Sequence, residues 1–187
     1  MRKTLPPIHL ACSDDGLRPA LNCVRVLDGI ATATNAHLVA QMNLREYSSL
    51  PEEAIKKMSG MLIHKDLWKE LMEATLIEVN DQDNSIYYEN GGVKATVSVD
   101  TDLKFPDVDS LVKEIANQLF DKRSMVAFNP RWIMIAAKLF PSESLICRFY
   151  QDKSMMVLFP SGQAKGYVGI METLISEEES TLDFSLS

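Results

Sequence analysis

The stretch MLIHKDLWKELMEATLIEVNDQDNSIYYENGGVKATVSV, residues 61–99, decides the fold. It opens on a short apolar run, Met61–Ile63, that suits a strand. It continues into Lys65–Ala74, where Leu67, Trp68, Leu71 and Met72 recur at i, i+1, i+4 and i+5 and lay an apolar stripe along a helix. Three strands are expected next, at Leu76–Val79, Ile86–Glu89 and Val93–Val99. Their separators, Asp81-Gln82-Asp83-Asn84 and Asn90-Gly91-Gly92, are residues that tolerate positive φ or close Asx turns. The unit reads strand, helix, three-stranded meander.

Working outward, residues 125–171 repeat that order without repeating the residues. Met125–Phe128 reads as a strand, and Asn129-Pro130 as a helix start, with Asn as cap and Pro in the first turn. Arg131–Phe140 follows as a nearly apolar helix, then strands at Leu145–Tyr150, Met155–Phe159 and Gly166–Met171. Ser110–Phe120, between the two units, has the spacing of an amphipathic helix. On the N-terminal side, Leu21–Leu27 and Ile30–Thr34 flank Asp28-Gly29, the signature of a tight hairpin. His37–Leu44 makes a third strand, so residues 21–44 form a meander with no clear helix before it. Pro51–Met58 reads as one short helix. The repetition predicts an α+β protein built from strand-helix-three-strand units with antiparallel sheets. Residues 1–107 are expected to form one domain and 108–175 a further half-domain, with an acidic, mobile tail at 176–187.

This organisation resembles the DNA sliding-clamp (processivity-factor) fold, particularly the bacterial DNA polymerase III beta subunit. Three stretches carry the resemblance. Ala31-Thr32-Ala33-Thr34-Asn35, ending a hairpin strand, is similar to the Ala-Thr-Asp type turn of clamps, with Asn35 where an acid is usual. Phe105-Pro106-Asp107 resembles the exit of a clamp domain. Ala127-Phe128-Asn129-Pro130-Arg131-Trp132 resembles the Phe-Asn-Pro-Arg-Tyr segment of later clamp domains. Clamp chains carry two or three such domains, and this chain holds about one and a half.

The resemblance implies a non-catalytic binding protein of DNA replication or mobile-element metabolism. It would be cytoplasmic, would work as a homo-oligomer, and would have double-stranded DNA and replication proteins as partners. A different reading is a monomeric protein-interaction module that keeps the fold without DNA binding. A third is an enzyme on the same scaffold.

Composition constrains these readings. Among 187 residues, 19 Lys and Arg stand against 26 Asp and Glu, a formal charge of −7, which excludes a generally basic nucleic-acid binder and a polybasic membrane-surface protein. No apolar run approaches the roughly 20 residues of a membrane-spanning helix. The charge count must therefore be made helix by helix. Lys65 and Lys69 face Asp66, Glu70 and Glu73 on the first helix, Lys113 faces Glu114 on the second, and Arg131 and Lys138 stand without an acid on the third. Lys65, Lys69, Arg131 and Lys138 are the candidate DNA-facing residues. They fall short of the roughly 6–10 phosphate contacts of a strong duplex binder.

The tail offers a second candidate site. Glu179-Ser180-Thr181-Leu182-Asp183-Phe184 resembles the Gln-x-x-Leu-x-Phe peptide that docks in a clamp's hydrophobic groove, with Glu179 in place of Gln and with Leu182 and Phe184 as anchors. Elsewhere the residues point away from catalysis and cofactors. His9, His37 and His64 lack ligand spacing, so no metal is expected. No glycine-rich phosphate loop and no nucleophile motif occurs. Asp14-Asp15 reads as solvated loop charge. Cys12, Cys23 and Cys147, odd in number and in apolar contexts, read as buried free thiols.

Overall fold

The computed structural model describes residues 4–111, 128–141, 144–150, 155–161 and 166–172. The first meander comprises β1 (Cys23–Leu27), β2 (Ile30–Thr34) and β3 (Leu38–Asn43). The hairpin joining β1 and β2 turns at Asp28 and Gly29, both at positive φ. The turn from β2 to β3 is closed by side chains. Asn35 Oδ1 accepts from the amides of His37 and Leu38 at 3.0 Å each, and Thr34 Oγ1 donates to the Leu38 carbonyl at 2.8 Å. An aspartate at position 35 would accept the same two bonds, so the amide there preserves the turn.

Two short helices follow, α1 (Leu44–Tyr47) and α2 (Glu52–Lys57), with Asn43 capping the first and Pro51 preceding the second. Then comes the decisive unit, with β4 (Leu62–His64), α3 (Lys65–Glu73), β5 (Leu76–Asn80), β6 (Ser85–Asn90) and β7 (Val93–Ser98). The second unit supplies α4 (Pro130–Leu139), β8 (Leu145–Tyr150), β9 (Met155–Pro160) and β10 (Gly166–Met171). Apart from the strand expected at Met125–Phe128, the expected strands and the two longer described helices are therefore present, to within a residue or two at their ends. Where a first-half helix would stand, the chain makes 3₁₀ turns at Ile8–Ala11 and Pro19–Asn22. Of the helix expected at Ser110–Phe120, only its start is described, in a helical stretch at 108–111. The strand expected at Met125–Phe128 lies outside the described residues except for Phe128, which is in no strand.

The strands form two antiparallel sheets, one of seven strands ordered β4-β1-β2-β3-β10-β9-β8 and one ordered β5-β6-β7. The joint between β3 and β10 makes the seven-stranded sheet continuous. Met42 stands opposite Gly166, Ala40 opposite Val168 and Leu38 opposite Ile170. The two meanders thus share one backbone ladder across the boundary expected at residues 107/108.

The period of two along each strand sorts the sheet's faces. Val24, Val26, Ala31, Ala33, Ala40, Met42, Val168 and Ile170 all enter the main core. α3 packs on that side through Trp68, Leu71 and Met72, the stripe read from its spacing, and α4 does so through Ala136 and Leu139. Ile77, Val79, Ile86 and Tyr88 bring the three-stranded sheet into the same core. Trp68 is its largest wholly buried side chain, and its indole N–H donates to the Pro6 carbonyl at 2.8 Å, so the N-terminal segment is pinned over α3. Truncating such a residue to Ala costs about 3–5 kcal/mol. The opposite face of the sheet is crossed by the connector at 99–111, which leaves the first unit through Phe105-Pro106-Asp107. It is tied down by Asp109, whose carboxylate accepts from Arg25 Nη2 at 2.5 Å and from Gln41 Nε2 at 2.8 Å.

One expectation about thiols changes. Cys12 and Cys23 are buried, but Cys147 is exposed on β8, an end strand of the large sheet among the described residues. Burial pushes the Cys12 thiol up to about 12.

Candidate functional site

On the helical side, α3 and α4 each touch the Ile8–Ala11 turn. Both helices begin on a capping side chain. His64 Nδ1 accepts from the Asp66 amide at 3.3 Å, and Asn129 Oδ1 from the Arg131 amide at 3.0 Å. Lys65 and Arg131, the first-turn cations of the two helices, are brought together in a groove of about 600 Å³. Lys69 and Lys138 are exposed but do not line it.

That groove carries its own anions. Lys65, only 20 % exposed, donates to the Asp14 carboxylate and, at 2.7 Å, to the Ser13 carbonyl. Arg18 pairs with Asp15 at 2.8 Å. Three cations, Arg18, Lys65 and Arg131, therefore meet two carboxylates. The lysine and arginine in turn hold Asp14 and Asp15 below the usual aspartate range. The acid pair, read from sequence as solvated loop charge, lies in a loop with Asp14 exposed, and it also supplies the counter-charge of the groove. Trp132 forms an aromatic wall, its ring stacked on His37 at 6.2 Å and covered by Arg131 at 5.4 Å. α4 also turns Ile133 and Met134 outward, the latter 59 % exposed, so its accessible surface mixes two cations with apolar side chains.

The opposite face holds an apolar groove of about 510 Å³. Leu21 from the Pro19–Asn22 turn and Val39 from β3 form one part of it, and Leu103, Pro106, Val108 and Leu111 of the connector another, with Arg18 and Lys104 beside them. These walls come from three distant parts of the chain, and nothing local marks them as neighbours. Only Phe105-Pro106-Asp107 stood out in the sequence. Glu179, Leu182 and Phe184, the candidate docking tail, lie outside the described residues. Among the described residues, no group of three or more His, Cys, Asp or Glu side chains is placed to hold a metal ion. None of the described helices is long and apolar enough to cross a membrane.

No protein-family model and no curated protein matches the chain. Solved structures do. A DNA polymerase III beta sliding clamp from Bartonella birtlesii, bound to griselimycin, is similar over 90 % of this chain and 63 % of its own, with 16 % identity and a TM-score of 0.60. The beta subunit from Borrelia burgdorferi, in complex with a natural product, matches over 91 % and 61 %, with 15 % identity and a TM-score of 0.61. The Bacillus subtilis clamp matches over 92 % and 64 %, with 12 % identity and a TM-score of 0.58. The chain has the sliding-clamp fold in divergent form, and it spans less than two thirds of the length of these proteins.

Proposed function

We propose that the chain is a non-catalytic clamp-type binding protein of DNA replication or mobile-element metabolism, and that its principal act is to dock partner proteins in the apolar groove. The observation that carries this reading is the groove itself. Leu21, Val39, Leu103, Pro106, Val108 and Leu111 form an apolar trough on a rigid sheet, the chemistry an extended segment with Leu and Phe anchors requires. Solved clamps of this fold hold griselimycin and a natural product, so the fold accommodates small ligands. The test is fluorescence anisotropy with a labelled hexapeptide of the Gln-x-x-Leu-x-Phe pattern. Saturable binding that Leu103→Glu abolishes at an unchanged melting temperature supports the reading. Absence of saturable binding, or equal binding by the variant, overturns it.

A second reading has its own observation. Lys69, Arg131 and Lys138 are exposed on the helical side, where a clamp would meet DNA, so weak, salt-sensitive duplex contact accompanies protein docking. Self-association belongs to the same proposal, because β8 and β7 end their sheets and carry unpaired backbone groups among the described residues. A monomer by light scattering at micromolar concentration would leave only the protein-interaction module.

A further inference from the structure

The last described residues of the chain run to the rim of the apolar groove. Thr34, Ala36 and Val39, in and beside the β2–β3 turn, line that groove. β10 lies against the same turn. Its Ile170 stands opposite Leu38, and the Met171 amide donates to the His37 carbonyl at 3.0 Å. Glu172, the last described residue, is therefore left beside the turn that supplies Ala36 to the groove. The groove is also cationic. Two cations, Arg18 and Lys104, outnumber one acid, Asp107, among its lining residues, although the chain as a whole has a formal charge of −7. Both cations are exposed. Arg18 gives its Nε–H to Asp15, one of the five N–H donors of a guanidinium.

We propose that the groove is occupied by this chain's own segment 177–184, seated from within the same molecule. Residues 173–187 carry four acids, Glu177, Glu178, Glu179 and Asp183, and no Lys, Arg or His, so their charge complements the groove's excess of cation. Leu182 and Phe184 meet the apolar walls, and the acids face Arg18 and Lys104. Burial of the two anchors supplies the affinity, while the exposed ion pairs add little energy but orient the segment. The link is long enough. Ten residue steps separate Glu172 from Leu182, a reach of up to about 33 Å. A segment tethered at the rim is present at about millimolar effective concentration, which favours it over the same segment of a second copy. Resting on the groove's role as a seat for Leu and Phe anchors, this occupancy makes every partner compete with the chain's own segment.

Methyl NMR on the full chain reads the seat directly. Leu182→Ser combined with Phe184→Ser should shift the methyl resonances of Val39, Leu103 and Val108, and dilution of the parent should leave them in place. The labelled Gln-x-x-Leu-x-Phe hexapeptide reads the competition. A chain ending at Ser176 should bind it about tenfold more tightly than the parent, the factor for a segment whose effective concentration of about 1 mM is ten times its own dissociation constant. Groove methyls unmoved by the double substitution overturn the proposal, and so does equal peptide affinity for the parent and the shortened chain. Methyls that shift on dilution assign the seat to a second copy and overturn occupancy from within. If the peptide binds neither chain while the double substitution still moves the methyls, partner docking fails and the internal seat stands.

Discussion

Replacing Asp14 by Asn releases a cation that the fold otherwise holds in reserve. Lys65 is clasped by the Asp14 carboxylate and the Ser13 carbonyl, leaving Lys69, Arg131 and Lys138 as the exposed cations of α3 and α4. Each phosphate neutralised contributes about −0.9 to the slope of log K against log salt. Three contacts per bound chain then give a slope of about −2.7, and four, with Lys65 freed, about −3.6. Between 50 and 200 mM salt, the proposed duplex affinity should fall roughly 40-fold for the parent and roughly 150-fold for Asp14→Asn. Fluorescence anisotropy on a labelled duplex across that series measures both slopes. Lys69→Gln should flatten the parent slope by about 0.9, whereas Lys65→Gln should leave it nearly unchanged. Because Lys65 holds Asp14 below its ordinary value of 3.8, the carboxylate stays ionised at pH 5. Acidification to that point should not imitate the substitution. The reasoning fails if Asp14→Asn leaves the slope unaltered, or if Lys65→Gln flattens the parent slope as much as Lys69→Gln does.

Three stability predictions follow from local geometry, each read by urea denaturation. Gly29 sits at φ +81° with a would-be Cβ pressed against the Arg45 guanidinium, so Gly29→Ala should cost about 1–2 kcal/mol of left-handed strain plus the displacement of Arg45 from the Asp28 carbonyl. In an Arg45→Ala background only the strain should remain. Ala36 holds φ +75° in the β2–β3 turn, so Ala36→Gly should stabilise by about 0.5–1 kcal/mol, the relief of strain less the added freedom of the unfolded chain. Trp68→Phe keeps an aromatic ring but leaves the Pro6 carbonyl without its 2.8 Å donor, and should cost about 1–3 kcal/mol.

The elements were legible because each is specified locally. The α3 stripe of Trp68, Leu71 and Met72, the Asp28-Gly29 hairpin and the cap at Asn129 all lie within a few residues of what they determine. Long-range pairings were not legible. β3 and β10 read equally well as outer strands, and nothing in Leu38–Asn43 names Gly166–Met171 as its partner. For the same reason the exposed Asp14 gave no sign of its ion pair, since its lysine lies on a helix that begins at residue 65. Cys147 looked buried because an outermost strand keeps the apolar alternation of an inner one while losing its cover. The site residues split likewise. Charge on a helix can be counted from sequence, but whether a cation is available depends on a distant carboxylate.

The joint between β3 and β10 also governs what the outer face can bind. β3 gives Val39 to the apolar groove and Gln41 to the bond with Asp109, two residues apart on one face. β10 lies directly beside them with Gly169 opposite Val39. A Cβ at Gly169 would stand 3.0 Å from Val39 Cγ1 and 2.9 Å from Met155 Sδ, so any larger residue there would press on the groove's own wall. The strand that completes the sheet therefore also backs Val39, one wall of the groove. The exposed cations, in contrast, lie on helices packed against the other face. Arg18 lies beside both grooves, but Leu103 lines only the apolar one and Asp14 only the charged one, so these two perturbations should be nearly independent. Leu103→Glu should remove peptide binding at an unchanged DNA salt slope, and Asp14→Asn should steepen that slope at unchanged peptide affinity. Coupling between the two would mean that the sheet transmits one occupancy to the other, contrary to a rigid seven-stranded frame.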